Sequence, residues 1–357
     1  MFPLKWGDHG LSIYQRKRIL VTGGTGFKGS WLLAWLNMLG AYTLDISRNP
    51  PTMPSHYDVL EINKMPMHRT LRADLRYSRD MAEVQQVIDD FRPDLVFHLA
   101  AMAIVSKTFG DPLGTFEGNV LSALNILEVC RRSPSIKGLV MVTTDKVYAE
   151  NNGAGGYPLT EADALGGLDP YSSSKVCVEH ITECYRTQYF PNIAAARAGN
   201  VIGGGDWAYK RLFPDIVQAT VRGEAVEIHT PNATRPWQHV LEPLYGYLLL
   251  GREFLEGKDA GGAWNIGPKD SLSVLDVLNI AKIKWSAIQY YVLEQEHHPS
   301  MVAELRLSSL KIQTLGWWQV MGPASAVAHT IDWYREYYEK GRVITCQQIE
   351  SFMQRTA

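Results

Sequence analysis

Three glycines spaced three apart, Gly23, Gly26 and Gly29, follow directly on the apolar run Ile19-Leu20-Val21 and precede an apolar-periodic stretch from Trp31 to Leu39. A strand that turns through glycines into a helix lets backbone approach a bound group closely. The helix start adds unpaired N–H donors and partial positive charge. An anion, above all a pyrophosphate, suits such a turn.

The rest of the first 200 residues keeps the same beat of short apolar runs and helical patterns, which predicts a parallel sheet covered on both faces. Ile19 to Val21 reads as the first strand, Trp31 to Leu39 as its helix and Ala41 to Ser47 as the second strand. Leu95 to Leu99 and Leu139 to Thr143 are apolar enough for central strands. Helices are expected from Pro112 to about Arg131 and from Tyr171 to near Tyr189. The fold class is therefore α/β, a Rossmann-type doubly wound parallel sheet, with a dinucleotide-binding domain over residues 15–203 that can take in later segments. After Gly203 the beat is lost, and residues 204–345 are expected to form mainly a smaller, discontinuous substrate-binding cap.

Charge narrows the partners. With 35 basic against 37 acidic residues, nothing draws the chain as a whole to nucleic acid or to an anionic membrane. Met1 to Ser12 carries Asp8 and His9 where a signal peptide needs an apolar run, and no segment approaches the roughly 18 apolar residues of a membrane span. The four cysteines, Cys130, Cys177, Cys184 and Cys346, include no C-x-x-C pair, and Cys177 and Cys184 read as two buried positions of one helix. Free thiols and a cytoplasmic location are the expectation. His239 and the His297-His298 pair lack metal-ligand spacing, so no metal is expected. The aromatic pairs Trp317-Trp318 and Trp333-Tyr334 are read as packing.

Tyr171 and Lys175 stand four apart at the start of a helix, so both project from one face. A phenol of reference pKa about 10 becomes a useful base when an ammonium and a cationic nicotinamide lower it. Upstream, Val142-Thr143 leads into Thr144-Asp145-Lys146 at the carboxyl end of a strand, where open α/β sheets place their ligands.

These features resemble the short-chain dehydrogenase/reductase superfamily, whose glycine spacing and Ser/Thr-Tyr-Lys triad they match. His98-Leu99-Ala100-Ala101 and Asn119-Val120 resemble its extended branch. The resemblance implies NAD or NADP as cofactor. Gly23, Thr25, Gly26, Phe27, Lys28 and Gly29 would contact it at the turn, and Ser47 and Arg48 at the end of the second strand. Asp74-Leu75 would lie by the adenine, Leu99, Ala100, Ala101 and Asn119 along the crevice, and Tyr171 and Lys175 at the nicotinamide. Asp45 is an alternative acceptor for the ribose hydroxyls, and Arg48 would suit a 2′-phosphate, so the choice of NAD or NADP stays open here, with NAD expected.

Within the superfamily, the chain is similar to the CDP-glucose 4,6-dehydratases from about Lys17 to Trp318. The resemblance rests on Thr25-Gly26-Phe27-Lys28-Gly29-Ser30-Trp31, Asp169-Pro170-Tyr171-Ser172, Arg197 to Trp207 and Arg235-Pro236-Trp237-Gln238-His239-Val240. The Thr144-Asp145-Lys146 trio also fits: dTDP-glucose dehydratases carry Glu in place of this Lys, and simple 4-epimerases lack the acid. The resemblance implies a nucleotide-sugar substrate anchored by Asn200, Arg211 and Arg235. In that reading Tyr171 takes the O4 proton, Lys175 binds the cofactor ribose, Thr144 meets O4 and Asp145 protonates the departing O6. Lys146 either removes the C5 proton or steers Asp145. A homodimer through the helices at Pro112–Arg131 and Tyr171–Tyr189 is implied too. Ala101 to Phe109 and Ser308 depart from the family pattern near the sugar. A 4-epimerase, a dehydratase for another nucleotide and a non-catalytic dinucleotide-sensing protein are the other readings.

Overall fold

Seven parallel strands form the central sheet of the computed structural model, which describes residues 10–149, 157–293 and 306–356. β1 (Arg18–Thr22), β2 (Tyr42–Ser47), β3 (His68–Arg72), β4 (Leu95–His98), β5 (Gly138–Val142) and β6 (Ile193–Ala198) are joined by a late edge strand, Gly262–Ile266. Their order is Gly262–Ile266, β6, β5, β4, β1, β2, β3. The order reverses between β1 and β4, which opens a crevice at their carboxyl ends. β4, β5 and β6 are buried along their whole length, as strands covered on both faces must be.

The first helix, Phe27–Met38, starts four residues before the expected Trp31, because Gly26 is already its N-cap. Trp31 and Trp35 are fully buried in it. The reason is a second cover: the C-terminal helix Thr345–Thr356 packs on its outer side, with Trp35 Nε1 donating to Met353 Sδ at 3.2 Å and Phe352 edge-on to the Trp35 ring. A helix enclosed in this way is apolar all round.

The expected helix from Pro112 to Arg131 is not uniform. It runs Pro112–Phe116, widens into a π-turn at Glu117–Leu121 and resumes at Ser122–Arg132. The helix carrying Tyr171 spans Pro170–Gln188. Cys177 and Cys184 do lie on it, but Cys177 is half-buried and Cys184 exposed, which corrects the reading of both as buried; the buried face is the one carrying Tyr171, Lys175 and Val178. All four thiols are unpaired.

Beyond residue 203 the chain does not stay apart from the sheet. The helix Leu241–Leu255 covers β4, β5 and β6, and Gly262–Ile266 pairs with β6. Before and after these, the described residues form three short two-stranded ladders: Val201–Ile202 with Gln238–His239, Thr234–Arg235 with Leu272–Ser273, and Ala225–Ile228 with Gln289–Val292. Trp317, Trp333 and Tyr334 are buried packing groups, while Trp318 is exposed. His239 is fully buried, edge-on to Trp31. His297 and His298 lie outside the described residues. Among the described residues, no helix is long and apolar enough to cross a membrane.

Candidate active site

A cavity of about 980 Å³ follows the crevice from the end of β2 across the glycine turn to the carboxyl end of β5. Gly23 sits at φ +75, where L side chains are strained, and a Cβ there would come within 2.7 Å of the Ala100 N. A Cβ on Gly29 would run into the Gly23 carbonyl oxygen. Backbone therefore forms this wall of the cavity, and the first-turn N–H groups of the helix have no acceptor within the helix. Those features fit the diphosphate of a dinucleotide. Of the residues named from the sequence for the cofactor, all but Asn119 and the alternative Asp45 line the cavity.

Asn119 acts one layer back. It lies buried in the π-turn, accepts from the Met102 N–H at 2.7 Å and donates to Ser174 Oγ at 2.8 Å. It thus ties the 101–109 segment to the helix of Tyr171 and does not itself face the crevice. Asp45 is corrected too. It is fully buried and accepts from the Gly24 N–H at 2.9 Å and from Ser47 Oγ, so its carboxylate is committed to holding the turn. Ser47 and Arg48 face the cavity instead. Asp74 lines the cavity but is gripped by Arg76, with contacts of 2.7 to 3.1 Å.

The start of the Pro170–Gln188 helix is fixed by its own sequence. Asp169 accepts from the N–H groups of Tyr171 and Ser172, Ser172 closes a capping box, and Pro170 occupies the first turn. Tyr171, Lys175 and Glu179 then stack at four-residue intervals on one face. Lys175 Nζ donates to the Val142 carbonyl at 3.1 Å, and Glu179 accepts from Thr143 Oγ1 at 2.6 Å. The helix is thereby held against the end of β5, bringing Tyr171 and Lys175 opposite Thr144, Asp145 and Lys146. All five line the cavity.

Electrostatics in this corner depart from the simple expectation of a lowered phenol. Burial pushes Tyr171 up to about 12, with Thr144's hydrogen bond pulling the other way. Burial also brings Lys175 down to about 8. For Tyr171, desolvation outweighs both the Thr144 hydroxyl and the nearby Arg211 guanidinium. Asp145 is raised by burial, against the Thr144 Oγ1 donor at 3.0 Å and the nearby Lys146 and Lys28. A carboxyl held up in this way is suited to carry a proton.

Of the groups expected to anchor the substrate, Asn200 and Arg211 line the cavity. Arg211 reaches across it, donating to Asp206 at 2.9 Å and to the Ala103 carbonyl at 3.3 Å. Arg235 does not line it. Its guanidinium folds back on the Thr234 carbonyl at 2.8 Å, because the Thr234–Arg235 ladder is directed at Leu272–Ser273.

Sequence reasoning gave no role to the supports of this corner. Arg197 on β6 donates to Glu179 through Nε and Nη2, both at 3.0 Å, and through Nη1 to Tyr148 Oη at 2.9 Å. The signal was an arginine in an otherwise apolar strand, Ile193-Ala194-Ala195-Ala196-Arg197-Ala198, which demands a buried partner. Lys28 was named only for the cofactor, yet its Nζ also meets Tyr247 Oη at 3.3 Å.

The family model for the NAD-dependent epimerase/dehydratase family matches residues 19–267. This chain belongs to that family. Family membership gives NAD as the cofactor. The family's CDP-glucose 4,6-dehydratase of Salmonella typhimurium is 34% identical over 97% of this chain and 98% of that protein. The dTDP-glucose 4,6-dehydratase of the same organism is 26% identical over 89% of this chain and 92% of its own length. Among solved family structures, the UDP-glucose 4-epimerase of Thermus thermophilus, in complex with NAD, superposes with a TM-score of 0.76 at 25% identity, covering 89% of this chain and 99% of that one.

Proposed function

We propose that this chain dehydrates CDP-D-glucose to CDP-4-keto-6-deoxy-D-glucose. The observation that carries the reading is Asp145, a buried carboxyl raised by its surroundings and set beside Thr144 within the Tyr171–Lys175 site. C4 oxidation and re-reduction alone need no such acid. Loss of a hydroxyl does. The relative at 34% identity, named for CDP-glucose, supports the choice of nucleotide.

The glycine turn would hold the cofactor diphosphate, Ser47 and Arg48 the adenosine end, and Lys175 the nicotinamide ribose. When bound, the nicotinamide would supply a reversible hydride acceptor for the chemistry at C4 and C6. Tyr171 receives the O4 proton while Thr144 meets the O4 oxygen. The C4 ketone acidifies C5–H, Lys146 removes that proton, and Asp145 protonates O6 so that water leaves. Arg211 is the guanidinium for the substrate diphosphate.

The stretch from Gly205 to Pro214, with Trp237, forms the sugar-nucleotide side of the cleft, and the Rossmann unit takes in Leu241–Leu255 and Gly262–Ile266. Four unpaired thiols suit a reducing, cytoplasmic setting. The helices Ser122–Arg132 and Pro170–Gln188 pair in a homodimer, which light scattering at monomer mass would disprove. Incubation with a panel of sugar nucleotides, read by mass spectrometry, tests the activity: CDP-glucose loses one water, whereas an unchanged mass with altered stereochemistry identifies an epimerase.

A further inference from the structure

The dehydration proposed above leaves the enzyme's protons out of place unless one of them moves. Tyr171 gains the proton of O4 when C4 is oxidised. Asp145 loses a proton to O6 when water departs. Lys146 takes the C5 proton and gives it back to C5 when hydride enters at C6, so it ends unchanged. Substrate loses one water and the hydride returns to the sugar, so electrons balance within the substrate. The enzyme alone is left with one proton too many on Tyr171 and one too few on Asp145. Whatever the order of events, one proton must pass from the phenol to the carboxyl in every turnover.

We propose that the Thr144 hydroxyl carries this proton directly, so that the hydrogen taken from O4 is in effect the one that leaves with the water. The geometry places the hydroxyl between the two groups. Thr144 Oγ1 donates to Asp145 Oδ1 at 3.0 Å, and the Tyr171 phenol stands opposite on the wall of the same cavity, close enough for the Thr144 hydroxyl to pull its titration down. A threonine hydroxyl has one proton to give and lone pairs to receive another, so passing its own proton to Asp145 while accepting one from Tyr171 leaves it unaltered. The Lys146 N–H, at 3.4 Å from Thr144 Oγ1, helps to fix its direction. Tyr171, Thr144 and Asp145 are 9%, 6% and 7% exposed, and a sugar in the cavity would cover what is left, so exchange with bulk water is hindered at both ends of the path. Two further buried hydroxyls nearby are engaged elsewhere: Thr143 Oγ1 donates to Glu179 at 2.6 Å, and Tyr247 Oη accepts from Lys28 Nζ at 3.3 Å.

This inference rests on the dehydratase reading, and one experiment separates the two. Wild type, Thr144→Val and Thr144→Ser are compared in steady-state water loss from CDP-glucose, at fixed pH and ionic strength, with rising imidazole as a small diffusible proton carrier. Thr144→Val is expected to turn over at least about tenfold more slowly than wild type and to speed up in proportion to imidazole. Wild type and Thr144→Ser, which both keep a hydroxyl, are expected to show no imidazole dependence. Thr144→Ala takes the place of the valine variant, with the same criterion, should the latter not fold. No water loss from wild type overturns the dehydratase reading itself. Water loss from wild type with no imidazole dependence in the hydroxyl-free variants overturns the relay alone. A second readout needs no turnover: in protein labelled with carbon-13 aspartate, the Asp145 carboxyl titration moves upward in Thr144→Val, because a lowering hydrogen bond is lost. An unmoved titration overturns the contact on which the relay depends.

Discussion

Replacing Arg197 with methionine keeps an unbranched apolar stem and removes the guanidinium and its charge. Arg197 and Glu179 are both only 5% exposed, and their bidentate contact joins β6 to the helix of Tyr171. Without the guanidinium, Glu179 loses its bidentate counter-charge and keeps, among the described residues, the Thr143 hydroxyl as hydrogen-bond donor and the weaker pull of Lys175. Breaking a buried pair from one side costs about 3–5 kcal/mol. With an unfolding entropy of about 2.1 cal/mol/K per residue over 357 residues, that loss lowers the melting temperature by roughly 4–7 °C. Scanning calorimetry and guanidinium titration measure it. The double variant Arg197→Met/Glu179→Leu removes both charges and is expected to recover most of the loss. Turnover should fall in the single variant beyond what unfolding explains, because Glu179 anchors Lys175's helix to Thr143. A melting temperature within about 1 °C of wild type for Arg197→Met, or a double variant no better than the single, would refute the reasoning.

Four further outcomes are expected. Tyr171→Phe retains substrate binding by calorimetry but loses about 10²- to 10⁴-fold in turnover; unchanged turnover removes Tyr171 from the chemistry. Arg211→Ala raises KM for the nucleotide sugar, whereas Arg235→Ala, whose guanidinium lies off the cavity, leaves KM within about twofold, and equal effects in steady-state kinetics would contradict the placement of the two. Gly29→Ala abolishes NAD binding, measured by equilibrium dialysis, since the added methyl meets the Gly23 carbonyl. Burial holds His56, His98 and His239 down to about 3, so the unfolded chain takes up protons that the folded one refuses. Their stabilisation is full above the unfolded value of about 6.5 and is lost as pH falls below it, at about 1.4 kcal/mol per pH unit for each histidine. Thermal unfolding followed from pH 6 to pH 5 in wild type and in His56→Gln should differ in slope by about 1.4 kcal/mol per pH unit, the share of that one histidine.

Much of this molecule was legible in the chain. Gly23 to Gly29 dictated a strand, a turn and a helix because only a missing side chain lets backbone pass so close, and β4 and β5 announced themselves as unbroken apolar runs. β3 escaped notice for the opposite reason: His68-Arg69-Thr70-Leu71-Arg72 is a half-exposed edge strand with no alternation to betray it. The site residues whose side chains act along their own element, Tyr171 with Lys175 and Thr144 with Asp145, were readable from spacing. Those whose role depends on distant partners were not. Asn119 sits in a π-turn that no local pattern specifies, and Arg235 is turned away by a ladder formed with Leu272–Ser273. The rise of the Tyr171 phenol is likewise a matter of burial by the whole fold, where spacing showed only the nearby lysine.

At the heart of the proposed mechanism is an internal transfer of hydrogen from C4 to C6 coupled to loss of water at a site that includes Asp145. CDP-glucose bearing deuterium at C4 tests it most directly. The expected product is lighter by one water, with the deuterium found at C6 by NMR and mass spectrometry. Deuterium still at C4 in a product of unchanged mass, or deuterium lost to solvent, would contradict it.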